Sequence, residues 1–191
     1  MGEAAARRLR LQGELAMQDR PRILVVCFSR SGTTQRLAEM LAARLPADCE
    51  ALREREGLQP RSGTRGYARS IVDVIVHRRA DLRPTMHDLS HYDIVVVGTP
   101  VWASRASTPI ATWLVEHRKE FRQIAFFCSL GGRGSEKAFE QMRASAGISP
   151  LATCAVTGAD VRAGRDHALL DEFAHKIRHR LAALETIEWT M

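Results

Sequence analysis

Six consecutive residues, Ser29-Arg30-Ser31-Gly32-Thr33-Thr34, bring together four hydroxyls, one glycine and a run of backbone N–H groups. Placed at the start of a helix, such a segment makes a phosphate cradle. Its spacing matches neither GxxxxGK[ST] nor GxGxxG, so it is neither a Walker A loop nor a dinucleotide fingerprint. A second segment, Gly98-Thr99-Pro100-Val101-Trp102-Ala103-Ser104-Arg105, offers an aromatic ring beside a proline. Trp102 in a loop is expected to be partly exposed and to pack against something flat; the alternative is a ring folded back onto the end of a sheet. The third segment, Ser129-Leu130-Gly131-Gly132-Arg133-Gly134, has glycines that let backbone approach a ligand closely.

These segments need a scaffold, and the flanking text supplies one. Ile23–Phe28, Tyr92–Gly98, Gln123–Cys128 and Leu151–Thr157 are apolar runs that read as strands, the first of them buried on both faces. Cys49–Arg53 is a weaker strand, read as an edge. Helical spacing predicts Thr34–Leu45, closed by Pro46, then Pro109–His117 with a proline in its first turn. Ser135–Ala146 follows, with Ser135 as candidate N-cap and Gly147 as stop. The last helix is Asp166–Leu184, with Leu169, Leu170, Phe173, Ile177, Leu181 and Leu184 on one face. Residues 54–66 and 80–91 read as loops, and Tyr67–Arg79 as helix or strand. Strands alternating with helices imply a parallel sheet covered on both faces. Ligands in such sheets sit beyond the carboxyl ends of the strands, where the three segments fall. Together they would surround one mononucleotide carrying a planar ring.

Composition excludes several other classes. With 191 residues, 45% hydrophobic and 26% charged, the chain is one domain plus at most a tail, neither a disulfide miniprotein nor a disordered chain. The formal charge of +6 is dispersed, no Lys/Arg run exceeds two residues and aromatics are 6%, so nucleic-acid binding is not expected. Weak affinity for anionic ligands is the more natural reading. Cys27, Cys49, Cys128 and Cys154 include no CxxC pair, which fits a reduced, cytoplasmic compartment. No run approaches the length of a membrane span. Residues 1–21 read as a helical or flexible extension and 22–191 as the domain. Arg7-Arg8 lacks the apolar segment of an export signal. His87, Asp88 and His91, and likewise His175 and His179, have spacings that suit a metal, but the first set lies in a loop and the second among Lys176, Arg178 and Arg180. No metal site is expected.

At this point the sequence resembles the flavodoxin family. The carrying text is ILVVCFSRSGTTQRLAEMLA, YDIVVVGTPVWA and FFCSLGGRGSEKAFEQM, and the resemblance covers about residues 22–185. It implies an α/β flavodoxin-like three-layer sandwich with a five-stranded parallel sheet in the order 2-1-3-4-5, of the short-chain type, and non-covalent FMN. Carried over residue by residue, Ser29, Ser31, Gly32, Thr33 and Thr34 would hold the FMN phosphate, with Arg30 adding its backbone N–H. Thr99, Pro100, Val101, Trp102 and Ala103 would line the isoalloxazine, and Ser129, Gly131 and Gly132 would close the other side. Thr33 stands where the family commonly has Asn. The third segment lacks the aromatic that many electron carriers place over the outer ring face, which leaves the ring more open to a substrate.

The two ring segments, 98–108 and 129–135, contain no Asp or Glu but do contain Arg105 and Arg133. Positive charge stabilises an anion, here the reduced flavin, and so favours two-electron chemistry. The expectation is a redox protein of the reductase kind. It would take electrons from NAD(P)H or a reductase protein and pass them to a small-molecule or protein acceptor such as a quinone. A one-electron carrier, or an FMN-free binding module on the same fold, is the alternative.

Overall fold

Unbroken runs of Val, Ile and Phe leave a strand no face that can tolerate water, so the strands they form must be sandwiched between two layers. A computed structural model describes residues 20–55 and 79–188 and shows this arrangement. The strands are β1 (Ile23–Cys27), β2 (Asp48–Ala51), β3 (Ile94–Trp102), β4 (Arg105–Ala106), β5 (Ile124–Leu130) and β6 (Thr153–Thr157). The helices are α1 (Thr33–Arg44), α2 (Thr108–Glu116), α3 (Ser135–Ala146), α4 (Gly158–Arg162) and α5 (Asp166–Glu188). The parallel sheet runs β2-β1-β3-β5-β6, and the short β4 pairs antiparallel with the far end of β3. Setting β4 aside, this is the expected 2-1-3-4-5 order.

Alternation along each strand sorts the core into two halves. Ile23, Val25 and Cys27 of β1, Ile94 and Val96 of β3 and Phe127 of β5 face α1 and α5, meeting Leu37, Leu41, Leu170, Phe173 and Ile177. Leu24, Val26, Val95, Val97 and Phe126 face the other way, onto Ile110, Trp113 and Leu114 of α2 and Met142 of α3. The edge strands β2 and β6 are only partly buried, as their mixed composition requires. Two ion pairs tie α1 to α5: Arg36 to Asp166 and Arg44 to Asp171, each at 2.6 Å.

Several expectations need correction. β3 does not stop at Gly98 but continues through Pro100 to Trp102. Pro100 is tolerated because β3 has by then outrun β1, whose last pair is Cys27 with Gly98. The N-cap of α3 is Gly134, with φ 102° and no side-chain hydrogen bond, rather than Ser135; Gly147 ends the helix as expected. Glu54 and Leu82 form an antiparallel bridge inside stretches read as loops. The helix-or-strand reading of Tyr67–Arg79 and the extension up to Asp19 lie outside the described residues. Among the described residues no helix is long and apolar enough to cross a membrane.

Candidate functional site

β1, β3 and β5 are adjacent in the sheet and run in the same direction, with β3 and β5 continuing past the end of β1. Cys27 pairs with Gly98, and Gly98 with Phe127. Their carboxyl ends therefore release the three segments side by side. The first stays in touch with the second from its outset, since Phe28 N donates to Gly98 O at 3.2 Å.

The first segment forms the N-terminal cap of α1. Gly32 is the N-cap, with φ 86°, and no side chain caps the helix. The first-turn N–H groups are thus left for an acceptor from elsewhere. Ser31, Gly32 and Thr33 are exposed, while Arg30 is half-buried. The Ser29 hydroxyl oxygen is buried and has no hydrogen-bond partner. A buried hydroxyl left unpaired costs about 1–3 kcal/mol, which a ligand at this position would recover. Thr34 points inward, and its hydroxyl shares a 2.8 Å hydrogen bond with that of Ser129. One bond therefore joins the first segment to the third.

The second segment is a hairpin rather than a loop. Trp102 pairs with Arg105 and Val101 with Ala106, leaving Ala103 and Ser104 as a two-residue turn. Both have positive φ, 47° and 60°, as a type I′ turn demands. The hairpin is braced from below: Ser107 N donates to the Thr99 hydroxyl at 2.9 Å, and that hydroxyl donates to Ser107 Oγ at 3.1 Å. It is also braced from the side, because Gly134 lies against Ser104. A Cβ at Gly134 would stand 2.6 Å from Ser104 Oγ and 2.7 Å from its Cα. Gln141 Oε1 accepts from Ala106 N at 3.1 Å.

Trp102 is only 5% exposed, which overturns the expectation of a partly exposed ring. The hairpin folds it back over the sheet end. There it meets Phe28 edge-on, with centroids 6.2 Å apart and planes at 88°. Trp102→Ala should accordingly lower stability by about 3–5 kcal/mol, as for other large-to-small aromatic changes in a core. Urea denaturation checks this, and a loss below about 1 kcal/mol would show that the ring packs on little.

Of the remaining residues, Pro100 is buried opposite Ser129, Val101 is half-buried and Ala103 is exposed. Gly131 and Gly132 are exposed, and a Cβ on either would meet nothing within 4 Å, so open space stands over this part of the third segment. Cys128 ends in the same region, but burial, with Cys154 nearby, pushes its thiol up to about 12. It remains a protonated, inert thiol near neutral pH. His87, considered above as a metal ligand, is hydrogen-bonded through Nδ1 to Tyr92 Oη at 2.7 Å. Among the described residues no group of three metal-ligating side chains comes together.

Three participants escaped the reading of the sequence. Phe28 seats Trp102, and Gly134 receives the hairpin tip; neither carries a local signal of that role. Asp166, read simply as a helix start, is almost wholly buried and holds Arg36 of α1 from behind the first segment. A lone charged residue opening an amphipathic helix gives no hint of a partner 130 positions away.

A hydroxyl-lined helix start, a hairpin and a glycine-rich turn thus stand together at the carboxyl edge of a 2-1-3-4-5 sheet. A family model described as Flavodoxin matches residues 22–155, well over half of the chain. The chain belongs to the flavodoxin family. Among solved structures, the flavodoxin fold here is similar to that of a flavoprotein of Lactobacillus acidophilus NCFM in complex with FMN. That pair is 20% identical with a TM-score of 0.64, covering 74% of this chain and 97% of the other. A Bacteroides eggerthii DSM 20697 protein, described provisionally as a flavoprotein, is 22% identical with a TM-score of 0.62, covering 76% of this chain and 96% of its own. At these identities the likeness establishes the shared fold. No curated protein matches the sequence.

Proposed function

We propose that this flavodoxin-family chain binds FMN non-covalently at the carboxyl edge of its sheet. In this reading it works as a reductase, passing electrons from NAD(P)H or a protein donor to a small acceptor such as a quinone. The observation that carries the binding reading is the unpartnered, buried Ser29 hydroxyl beside the uncapped start of α1. Helix N–H groups and nearby hydroxyls suit a phosphate, since the helix dipole and charge-assisted hydrogen bonds act together. The FMN-bound relative from Lactobacillus supports the choice of cofactor.

Within this reading Ser29, Ser31 and Thr33, with the backbone N–H groups of residues 30–34, hold the phosphate. Thr34 acts through its backbone, because its hydroxyl is engaged by Ser129. Thr99 and Trp102 set the shape of the hairpin from below, while Pro100, Val101 and Ala103 present its surface to the ring. Ser129, Gly131 and Gly132 bound the opposite side. Bound FMN would supply the exchange of electrons. The acid-free segments around it, with half-buried Arg105 and exposed Arg133, favour negative charge on the reduced ring. That supports two-electron reduction over one-electron carriage.

Two measurements test the proposal. The purified protein should be yellow or should take up FMN stoichiometrically; a chain that stays colourless in excess FMN contradicts the binding reading. An anaerobic titration with NADH, NADPH and a quinol should then reduce the bound flavin in a single two-electron step. Reduction in two resolved one-electron steps would favour the carrier.

A further inference from the structure

A recess lies between the hairpin tip and α3. It is a cleft of about 440 Å³ lined by Ala103, Ser104, Arg105, Lys137, Glu140 and Gln141. Its size is that of a small-molecule site, but its walls are polar where such sites are usually apolar. Two of the lining groups are cationic and one is anionic. Lys137 is exposed and, among the described residues, has no hydrogen-bond or ion-pair partner, although Glu140 stands one helical turn away. The walls are fixed in place by the Gln141 bond to Ala106 N and by the contact of Gly134 with Ser104. A ligand therefore meets a preformed cleft and spends little on ordering it.

We propose that this cleft binds the phosphate or carboxylate end of a small anionic reactant of the flavin. Lys137 is its principal charge partner, and Glu140 opposes it. The purpose assigned here rests on the reductase reading: Ala103 belongs both to the cleft and to the segment facing the ring, so an anion held here would place the rest of its molecule beside the cofactor. The binding itself does not depend on that reading. A lysine ammonium suits either anion, because it acts as a point charge rather than as a shaped fork.

The test uses isotopically labelled protein with FMN loaded, so that the first segment is not available to the added anion. Inorganic phosphate and succinate are titrated separately while the amide signals of Ser104, Arg105, Lys137 and Gln141 are followed. Saturable shifts at these amides with either anion support the proposal. Lys137→Glu should weaken that binding by about tenfold or more, Lys137→Arg should keep it, and Glu140→Gln should tighten it. Lys137 and Glu140 are exposed, so none of these variants should change thermal stability or flavin absorbance. Shifts that do not saturate, or an affinity unchanged in Lys137→Glu, overturn the proposal. If the protein takes up no FMN, the cofactor reading fails; the same titration of the flavin-free chain, read only at the cleft amides, still decides the cleft.

Discussion

Replacing Ser29 and Ser31 together by alanine should leave a folded protein that purifies without flavin. Each hydrogen bond lost to a charged phosphate is worth about 1.5–3 kcal/mol, so the pair should weaken FMN by roughly 10²- to 10⁴-fold. The fold should not suffer. Ser31 is exposed, and the Ser29 hydroxyl has no partner within the chain. Removing that hydroxyl deletes an unpaired polar atom from a buried place, which is neutral or slightly stabilising when no ligand is bound. The two effects therefore have opposite signs, and one set of samples separates them. Thermal melts without FMN should show the variant as stable as the parent. Melts with saturating FMN should show the parent raised and the variant not raised, because a ligand stabilises only what it binds. Equal stabilisation by FMN in both proteins would remove these serines from the phosphate site.

The second large effect is expected inside the sheet. Gly98 sits on β3 directly opposite Phe127 of β5, and the phenyl ring lies across it. A Cβ at Gly98 would stand 2.0 Å from Phe127 Cζ and 2.4 Å from Cε1. The ring is fully buried among Leu37, Val96 and Phe173, so it has nowhere to swing. Gly98→Ala should cost about 3 kcal/mol or more, at the upper end for overpacking, out of a total stability of about 5–15 kcal/mol. Flavin retention should fall with it, because Gly98 opens the second segment and is its last point of pairing with β1. Phe127→Leu shortens the obstruction and should recover part of the loss in the double variant, giving a coupling energy above about 1 kcal/mol. Denaturation of the four proteins of the cycle measures this. Strict additivity would show that the two side chains do not compete for one space.

The architecture was legible because it depends on local pattern. The continuous apolar text of β1 and β5 and the i, i+4 spacing of Leu37 and Leu41 force burial whatever the neighbours are. The position of the site was legible for the same reason, since segments that leave parallel strands must gather at one edge. The form of the second segment was not. Pro100 argues against a strand, and only the register of β3 beyond the end of β1 shows why a proline is harmless there. Ala103-Ser104 carries none of the Asn-Gly or Gly-X signals of a two-residue hairpin. Without the hairpin, nothing would return Trp102 to Phe28, so its burial could not be anticipated either. The bond from Thr34 to Ser129 spans 95 positions and depends on the start of α1 meeting the carboxyl end of β5. Such partnerships belong to the assembled fold and leave no trace in local spacing.

The turn at Ala103-Ser104 has a further consequence. Left-handed backbone costs an ordinary residue about 1–2 kcal/mol, so neither side chain helps to make this turn. Its geometry is imposed from outside, by Thr99 and Ser107 beneath it and by Gly134 and Gln141 beside it. The instruction for the shape and the chemistry displayed by it are therefore written at different places in the gene. A lineage can exchange the exposed Ala103 at the tip, and with it what the protein offers an approaching molecule, without renegotiating the fold. The same exchange at Gly134 or Thr99 would leave the tip's own letters intact and lose the turn they sit on.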